Sequence, residues 1–591
     1  MRSFIVTSMQ ARKLPRWGLL LLCALYVIPG LLGRDPWRVD DAAGFGVAFT
    51  MYSGTLIDWL VPNVVGQTLP GQGPLPFAMA AGFALMMDWA APVLQPIFPD
   101  LQITPHLSVR LAAAIGLFAM LAAMWRAIYL LSRRPGIAPT DPLGAGASAT
   151  DLARAIADSG LLVLIATFGL LARMHETTAV AAQTTFVALF ILGLAVSLDA
   201  AKRGAIIAAL AIGASMATRG LPVAAPMLLT WILLLWLSQP FSLVRGSALK
   251  IGIPLAIASS LVWPALLIAH GSTEALVFLS EWIHWNLSAI GWPDRESLSF
   301  AGRYAPWFFW PAWPLAAWAI YRWAGRFDQP AVALPSLLAA SLLLVALGAN
   351  TPGEAWLLAA ALPIAALAAI GLPTLSRAVV NLIDWFAVMF FSLFGFVIWA
   401  YWLALLTGWP PRMATSAREL VPGFLARWSE LDLFLALAAS TAWLLLVRWR
   451  ISRQPPVIWR AVVLSSGGLC LAWFLLMTLW LPVFNERNTY RGIADRIATF
   501  VPRDGSCVET RNLGPAERAS LAYFAGLKFG NGDKPCRYLL IQDYGNASRV
   551  ATPDEAGWRF IWQGRRRERA NDRLRLYGLL SESGINKKLS R

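Results

Sequence analysis

Two adjacent acids, Asp40 and Asp41, stand in Trp37-Arg38-Val39-Asp40-Asp41, directly after the first apolar run of the chain. A carboxylate in such a place can take the proton of an acceptor hydroxyl or hold the attacking group, while a fixed cation receives a leaving phosphate. A lipid phosphate leaves without an acid to protonate it, so one carboxylate and one cation are a sufficient minimum. The cations that qualify by position are Arg219, Arg295 and Arg303, and a further acid, Glu176, follows His175. Glu281 and His284, three residues apart, share one helix face and offer two ligands to a divalent metal. Plainer roles compete with each of these. Asp is a favoured helix N-cap, and a lone Glu and His pair is more often a polar contact at an interface.

The elements that must hold these residues are apolar. Of 591 residues, 58% are hydrophobic and 14% charged, whereas a soluble chain carries roughly 25% charge. Such a chain belongs in a bilayer. The 29 Trp residues agree, because indole rings collect at membrane interfaces. The net charge of +16 then reports anionic lipid headgroups and topology signals, and no nucleic-acid-binding motif accompanies it. Four Cys exclude a disulfide scaffold, and no CxxC pattern is present.

About 20 apolar residues cross a bilayer as a helix, and cytoplasmic loops collect Lys and Arg. Arg2, Arg12, Lys13 and Arg16 precede the run 17–32, which has no small-residue cleavage site after it, so it reads as an uncleaved first span that starts in the cytoplasm. The run 74–98 is long enough to cross. Were it to do so, Arg133, Arg134 and every later basic loop would fall on the outside, so it is expected to lie at the interface or re-enter, in keeping with Asp88, Pro92 and Pro96. The remaining spans are expected near 107–131, 152–172, 178–198, 204–218, 221–238, 250–269, 306–322, 331–349, 355–373, 383–406, 431–447 and 461–483, about thirteen in all.

From Asn485 the chain turns polar, with 20 basic and 12 acidic residues over 485–591. Cys536 to Gln542 and Trp558 to Trp562 read as strands; Tyr490 to Phe500 and Pro515 to Phe524 read as helices. The expected architecture is a polytopic α-helical membrane domain over 1–484, with a first outer loop at 34–106 and outer juxtamembrane helices, followed by a small α/β domain over 485–591 outside the membrane. In that oxidising compartment Cys507 and Cys536, the only cysteines of the tail, are expected to form a disulfide.

The first outer loop carries a resemblance. An acidic pair just past the first span, then Gly54, Asp58-Trp59-Leu60-Val61-Pro62, Gly66 and Pro74-Leu75, resembles the loop of GT-C membrane glycosyltransferases of the ArnT and protein O-mannosyltransferase group. The likeness extends to Ala172-Arg173-Met174-His175-Glu176, where the group has a second outer acid, and to Thr218-Arg219-Gly220-Leu221-Pro222, where it has a T-K-G-P-like turn. It implies that Asp40 matches the catalytic acid, Asp41 its acidic neighbour and Glu176 the second acid, and that Arg219 keeps the positive charge of the turn. Two basic positions of the group are lost: Ala42 and Ala43 follow the acidic pair, and Gln72-Gly73-Pro74-Leu75 stands in place of K-P-P-L. Arg219, Arg295 and Arg303 are the expected substitutes for binding the donor phosphate.

The resemblance implies an enzyme of a bacterial inner membrane, its N-terminus cytoplasmic and its C-terminal domain periplasmic. Its partners would be a polyprenyl-phosphate-linked sugar, a lipid or glycan acceptor or a protein, and membrane lipids. Two other readings compete. A transporter or flippase for lipid-linked sugars would show charges at mid-membrane or repeated halves with broken helices, and the sequence offers little of either. A non-catalytic partner in envelope-polysaccharide assembly is kept open by the lost basic positions.

Overall fold

In the computed structural model of the chain, the described residues are 6–37, 39–97, 102–137, 146–426, 428–453, 457–502, 506–530, 536–544, 557–566 and 572–579. In chain order the helices used below are α1 (Arg16–Val27), α2 (Asp40–Ser53), α3 (Leu56–Leu60), α4 (Leu75–Leu94), α5 (Pro105–Ser132), α6 (Ala149–Ala166), α7 (Phe168–Arg173), α8 (Ala179–Ser197), α9 (Ala201–Arg219) and α10 (Leu221–Leu237). They continue with α11 (Ile253–His270), α12 (Thr273–Ser288), α13 (Arg295–Phe308), α14 (Ala312–Arg322), α15 (Pro330–Leu347), α16 (Glu354–Leu357), α17 (Ala361–Gly371), α18 (Arg377–Thr407), α19 (Glu430–Arg453), α20 (Arg460–Leu479), α21 (Leu481–Asn488), α22 (Arg491–Ala498) and α23 (Pro515–Ala525). Every expected span contains helix. Among the described residues, 9 helices are long and apolar enough to cross a membrane. The protein is a polytopic helical membrane protein.

The loops sort to two ends of the bundle. At one end the segment before α1 meets the loops before α6 and α20, through the Thr7 and Gly146 bridge and the Ile458 N–H bond to the Gln10 carbonyl. Arg133 and Arg134, after α5, pair with Asp199 after α8. At the other end the loops after α1, α7 and α20 converge, and the C-terminal sheet sits there. This sorting agrees with the parity argument.

Helix α4 is the informative case, since its length and hydropathy would let it cross. It does not pass through the bundle. Gly73, just before it, donates to the Thr218 carbonyl at the sheet end; Asp88 accepts from Tyr52 of α2; and α5 sets out again at that end, where His106 meets Tyr523. One expected span is shorter than read: 306–322 divides into the end of α13 and all of α14. Pro311 cannot donate to a helix ladder and turns Trp310 away from helical geometry.

Beyond α21 the chain forms a five-stranded sheet from β3 (Cys507–Arg511), β4 (Lys528–Phe529), β5 (Tyr538–Tyr544), β6 (Trp558–Arg565) and β7 (Asp572–Leu579); β1 (Asn63–Val64) and β2 (Gln67–Thr68) make a separate hairpin in the first loop. The order is β4-β3-β5-β7-β6, with β3 parallel to β4 and β5 and the remaining pairs antiparallel. Parallel neighbours need a crossover, and α23 supplies it between β3 and β4. Cys507 and Cys536 are disulfide-bonded across the β3 side of this sheet.

Candidate functional site

The site is built on the first turn of α2. That helix is buried on nearly all sides, with Ala42, Phe45, Val47, Ala48 and Met51 at 2% exposure or less. Two glycines make this possible. A Cβ on Gly44 would lie 2.0 Å from the Thr177 carbonyl oxygen, and one on Gly46 would lie 2.4 Å from the Ala519 Cβ. The close approach at Gly44 brings the loop between α7 and α8, with Glu176, against the acidic pair.

The two acids of the pair have opposite surroundings. Neither caps α2, whose N-cap is Val39. Asp41 is 1% exposed. Its Oδ2 accepts from Arg110 (2.8 Å), Arg34 (3.4 Å) and the Trp37 N–H (3.0 Å), and its Oδ1 from the Thr177 N–H and hydroxyl, each at 2.8 Å. Burial alone would raise its proton affinity, but Arg110 and Arg34 with the two backbone donors hold it far below the usual carboxylate range. Its lone pairs are filled and it has no face toward a substrate. Asp41 ties the start of α2 to Thr177.

Asp40 is open instead, its side chain 64% exposed. Its Oδ2 lies 3.3 Å from Arg173 Nη1, the same nitrogen that approaches Glu176 Oε2 at 3.2 Å, while Arg173 Nε donates to Glu354 Oε2 at 3.1 Å. One guanidinium therefore bridges three carboxylates, from α2, the α7–α8 loop and α16. Burial, aided by Asp41 and Asp40, raises the Glu176 carboxyl to about 7 against the opposing pull of Arg173. A group with that proton affinity can hold or take a proton at neutral pH.

Arg219 ends α9 beside this cluster, and Asp40 acts on it electrostatically. Its guanidinium carbon lies 5.4 Å from the Trp285 ring and 5.0 Å from the Trp356 ring, which are near-parallel to each other. Among the described residues it has no carboxylate partner within ion-pair distance. A cation fixed by indoles and left without a counter-ion is suited to an incoming anion. The Gln72-Gly73 stretch is adjacent: a Cβ on Gly73 would meet the Ala217 carbonyl oxygen at 2.1 Å.

An apolar cavity of about 200 Å³ opens between α4, α5 and α8, lined by Phe77, Phe83, Ile115 and Phe186, with Glu176 and Thr177 in its wall. Other expected residues lie elsewhere. Arg295 and Arg303 are exposed on α13, and their side chains have no hydrogen bond or ion pair among the described residues. Glu281 and His284 are exposed on α12, and Glu281 accepts from Thr68 at 3.3 Å. No group of three or more His, Cys, Asp or Glu side chains among the described residues is placed to hold a metal ion. Of the other histidines, His106 bonds Thr104 and Tyr523, and His175 lies between the carbonyls of Tyr26 and Leu171.

The fold, a polytopic helical bundle with a small C-terminal sheet packed over its first loop, is ArnT-like over nearly the whole chain. In particular, the chain is similar to ArnT from Cupriavidus metallidurans bound to undecaprenyl phosphate, with a TM-score of 0.61 and 13% identity over 95% of this chain and 96% of that one. It is similar also to the apo state of that protein, with a TM-score of 0.60 and 14% identity over 95% of this chain and 97% of the other. No protein-family model and no curated protein sequence matches the chain, so the relationship is one of fold.

Proposed function

We propose that the protein is a glycosyltransferase of a bacterial inner membrane that moves a sugar from a polyprenyl-phosphate carrier to lipid A, another envelope glycan or a protein at the periplasmic face. The observation that carries this reading is the meeting of exposed Asp40 and high-affinity Glu176 with Arg219, a cation lacking a carboxylate partner, beside an apolar cavity whose wall includes Glu176. The resemblance of the ArnT structure, which holds undecaprenyl phosphate, supports the same donor class.

In this mechanism Asp40 takes the proton of the acceptor hydroxyl as its oxygen bonds to the anomeric carbon. The bond from that carbon to the phosphate oxygen breaks, and its electron pair leaves on the carrier phosphate, where Arg219 balances the growing charge. Arg173 keeps Asp40, Glu176 and Glu354 together despite their mutual repulsion. The polyprenyl chain lies along the cavity between α4, α5 and α8. Ala42 is buried in the core of the C-terminal sheet, so no basic residue there could face a carrier; Arg219 and Arg173 are the cations within reach.

The test is transfer of a radiolabelled sugar from polyprenyl phosphate to lipid A by the full chain in proteoliposomes, with release of free polyprenyl phosphate followed in parallel. Turnover of the donor supports the reading. Neither release nor transfer, across polyprenyl-phosphate donors and acceptors, rejects it in favour of a non-catalytic role.

A further inference from the structure

The segment 33–37, which delivers the chain to Asp40, is held chiefly by residues that lie some 450 positions later in the sequence. Asn485, in α21, accepts from the Asp35 N–H (3.1 Å) and the Trp37 indole (2.9 Å) and donates to the Gly33 carbonyl (2.6 Å). Arg491, the first residue of α22, forks onto the Asp35 carboxylate, Nε to Oδ2 at 2.9 Å and Nη2 to Oδ1 at 2.5 Å. Paired bonds of this kind fix direction as well as distance.

From Asp35 the contact continues inward. Arg110 Nη2 donates both to the Asp35 carbonyl (2.7 Å) and to Asp41 Oδ2 (2.8 Å), and Asp41 in turn accepts from Thr177, the neighbour of Glu176. One series of bonds thus runs from the start of the C-terminal unit to Asp41 and Thr177, the chain neighbours of Asp40 and Glu176. A second clamp acts on the far side of the loop. Val65 sits at φ 47°, a left-handed conformation uncommon for a β-branched residue, and both its backbone groups are bonded: its N–H donates to the Thr50 hydroxyl and its carbonyl accepts from Arg518 of α23.

We propose that Arg491 is a positioning residue of the transfer site, fixing Asp40 relative to Glu176 through Asp35, Arg110 and Asp41. The C-terminal unit is then a working part of the site, and its role is in turnover. This inference rests on the sugar-transfer reading for its kinetic consequence, while its structural consequence can be measured without it. A reacting group displaced by about 1 Å costs up to about 100-fold in rate, even when the altered residue is far from the chemistry.

The experiment compares the full-length wild type with Arg491→Ala, Asp35→Asn, the double variant and Arg491→Lys in proteoliposomes. It measures kcat, KM for a polyprenyl-phosphate-sugar donor, and amide hydrogen exchange over 33–43 and 174–178. Arg491→Ala and Asp35→Asn should each lower kcat about 10- to 100-fold with little change in KM. The double variant should lose no more than the worse single one, because both break the same link, and Arg491→Lys, which restores the charge but not the fork, should recover only part of the kcat lost in Arg491→Ala. Exchange over 33–43 should quicken in both single variants. Unchanged kcat with unchanged exchange overturns the proposal, as does an additive double variant or a loss carried by KM. A wild type that turns over no donor removes the sugar-transfer reading, and the exchange data then decide alone whether Arg491 holds the loop. Asp35→Asn, which keeps size and shape, keeps the test open should Arg491→Ala fold poorly.

Discussion

Asp40 and Glu176 share one nitrogen: Nη1 of Arg173 stands 3.3 Å from the first and 3.2 Å from the second. A shared cation lets two acids approach while leaving the exposed one free to work. Asp40→Asn keeps the shape and removes the charge, so turnover should fall by about 10² to 10⁴ while the melting temperature stays near that of the wild type. The check is sugar transfer alongside thermal unfolding of the purified chain. Full activity in the variant would remove Asp40 as the proposed base.

Its neighbour should behave in the reverse way. Asp41 balances two buried guanidinium groups, Arg34 and Arg110, which are 2% and 3% exposed. Removing one member of such a buried group strands the others without a counter-ion, typically at a cost of about 3 to 5 kcal/mol. Asp41→Ala should therefore lower the melting temperature markedly or abolish expression, whereas Asp40→Ala should not. Equal melting temperatures would show that Asp41 does not hold this buried group together.

The proton affinity of Glu176 gives a pH signature. Its carboxyl is raised to about 7, so the acid form persists in the folded protein well above the pH at which a free glutamate ionises. A raised acid binds its proton more tightly folded than unfolded. Its contribution to stability is thus full below about pH 4.5 and is lost as pH rises through about 7. Glu176→Gln, which stays neutral, should flatten that part of the stability profile. If ionised Glu176 assists the acceptor, the wild-type rate should climb through about pH 7, and the climb should vanish in the variant.

Much of the architecture was readable because its physics is local. Hydropathy located the spans, and charge parity placed 74–98 at the sheet end, where Asp88 meets Tyr52, although the helix is long enough to cross. Strand patterns located β5 and β6; β7, rich in alternating Arg, lacked an apolar run to mark it. The site was harder to read. Asp40 and Glu176 stood out by type and position, and Arg173 had a visible signal, its i, i+3 spacing from Glu176. Arg110 and Glu354 had none, because what defines them is a partner across a fold: Arg110 to Asp41 spans 69 residues and Arg173 to Glu354 spans 181. Arg295 and Arg303 qualified by charge and by their place on the outer face, and their side chains have no bonded neighbour among the described residues.

Arg219 is where position and chemistry can be separated. Lysine can restore its charge but not its planar contact with Trp285 and Trp356, which lie within 5.4 Å of the guanidinium carbon. If the group balances charge on the leaving phosphate, Arg219→Ala should lower kcat/KM by about 10² to 10³, the usual loss when one stabilising group is removed from a transition state. Arg219→Lys should keep a large part of the rate and raise KM for the donor, since an ammonium at a slightly different place still meets the phosphate but is less firmly held. Trp356→Ala should resemble Arg219→Lys, because it loosens the cation without removing it. Steady-state kinetics with a polyprenyl-phosphate-sugar donor distinguish these outcomes: equal losses in Arg219→Ala and Arg219→Lys would mean that shape rather than charge is needed, and no loss in either would remove Arg219 from the donor site.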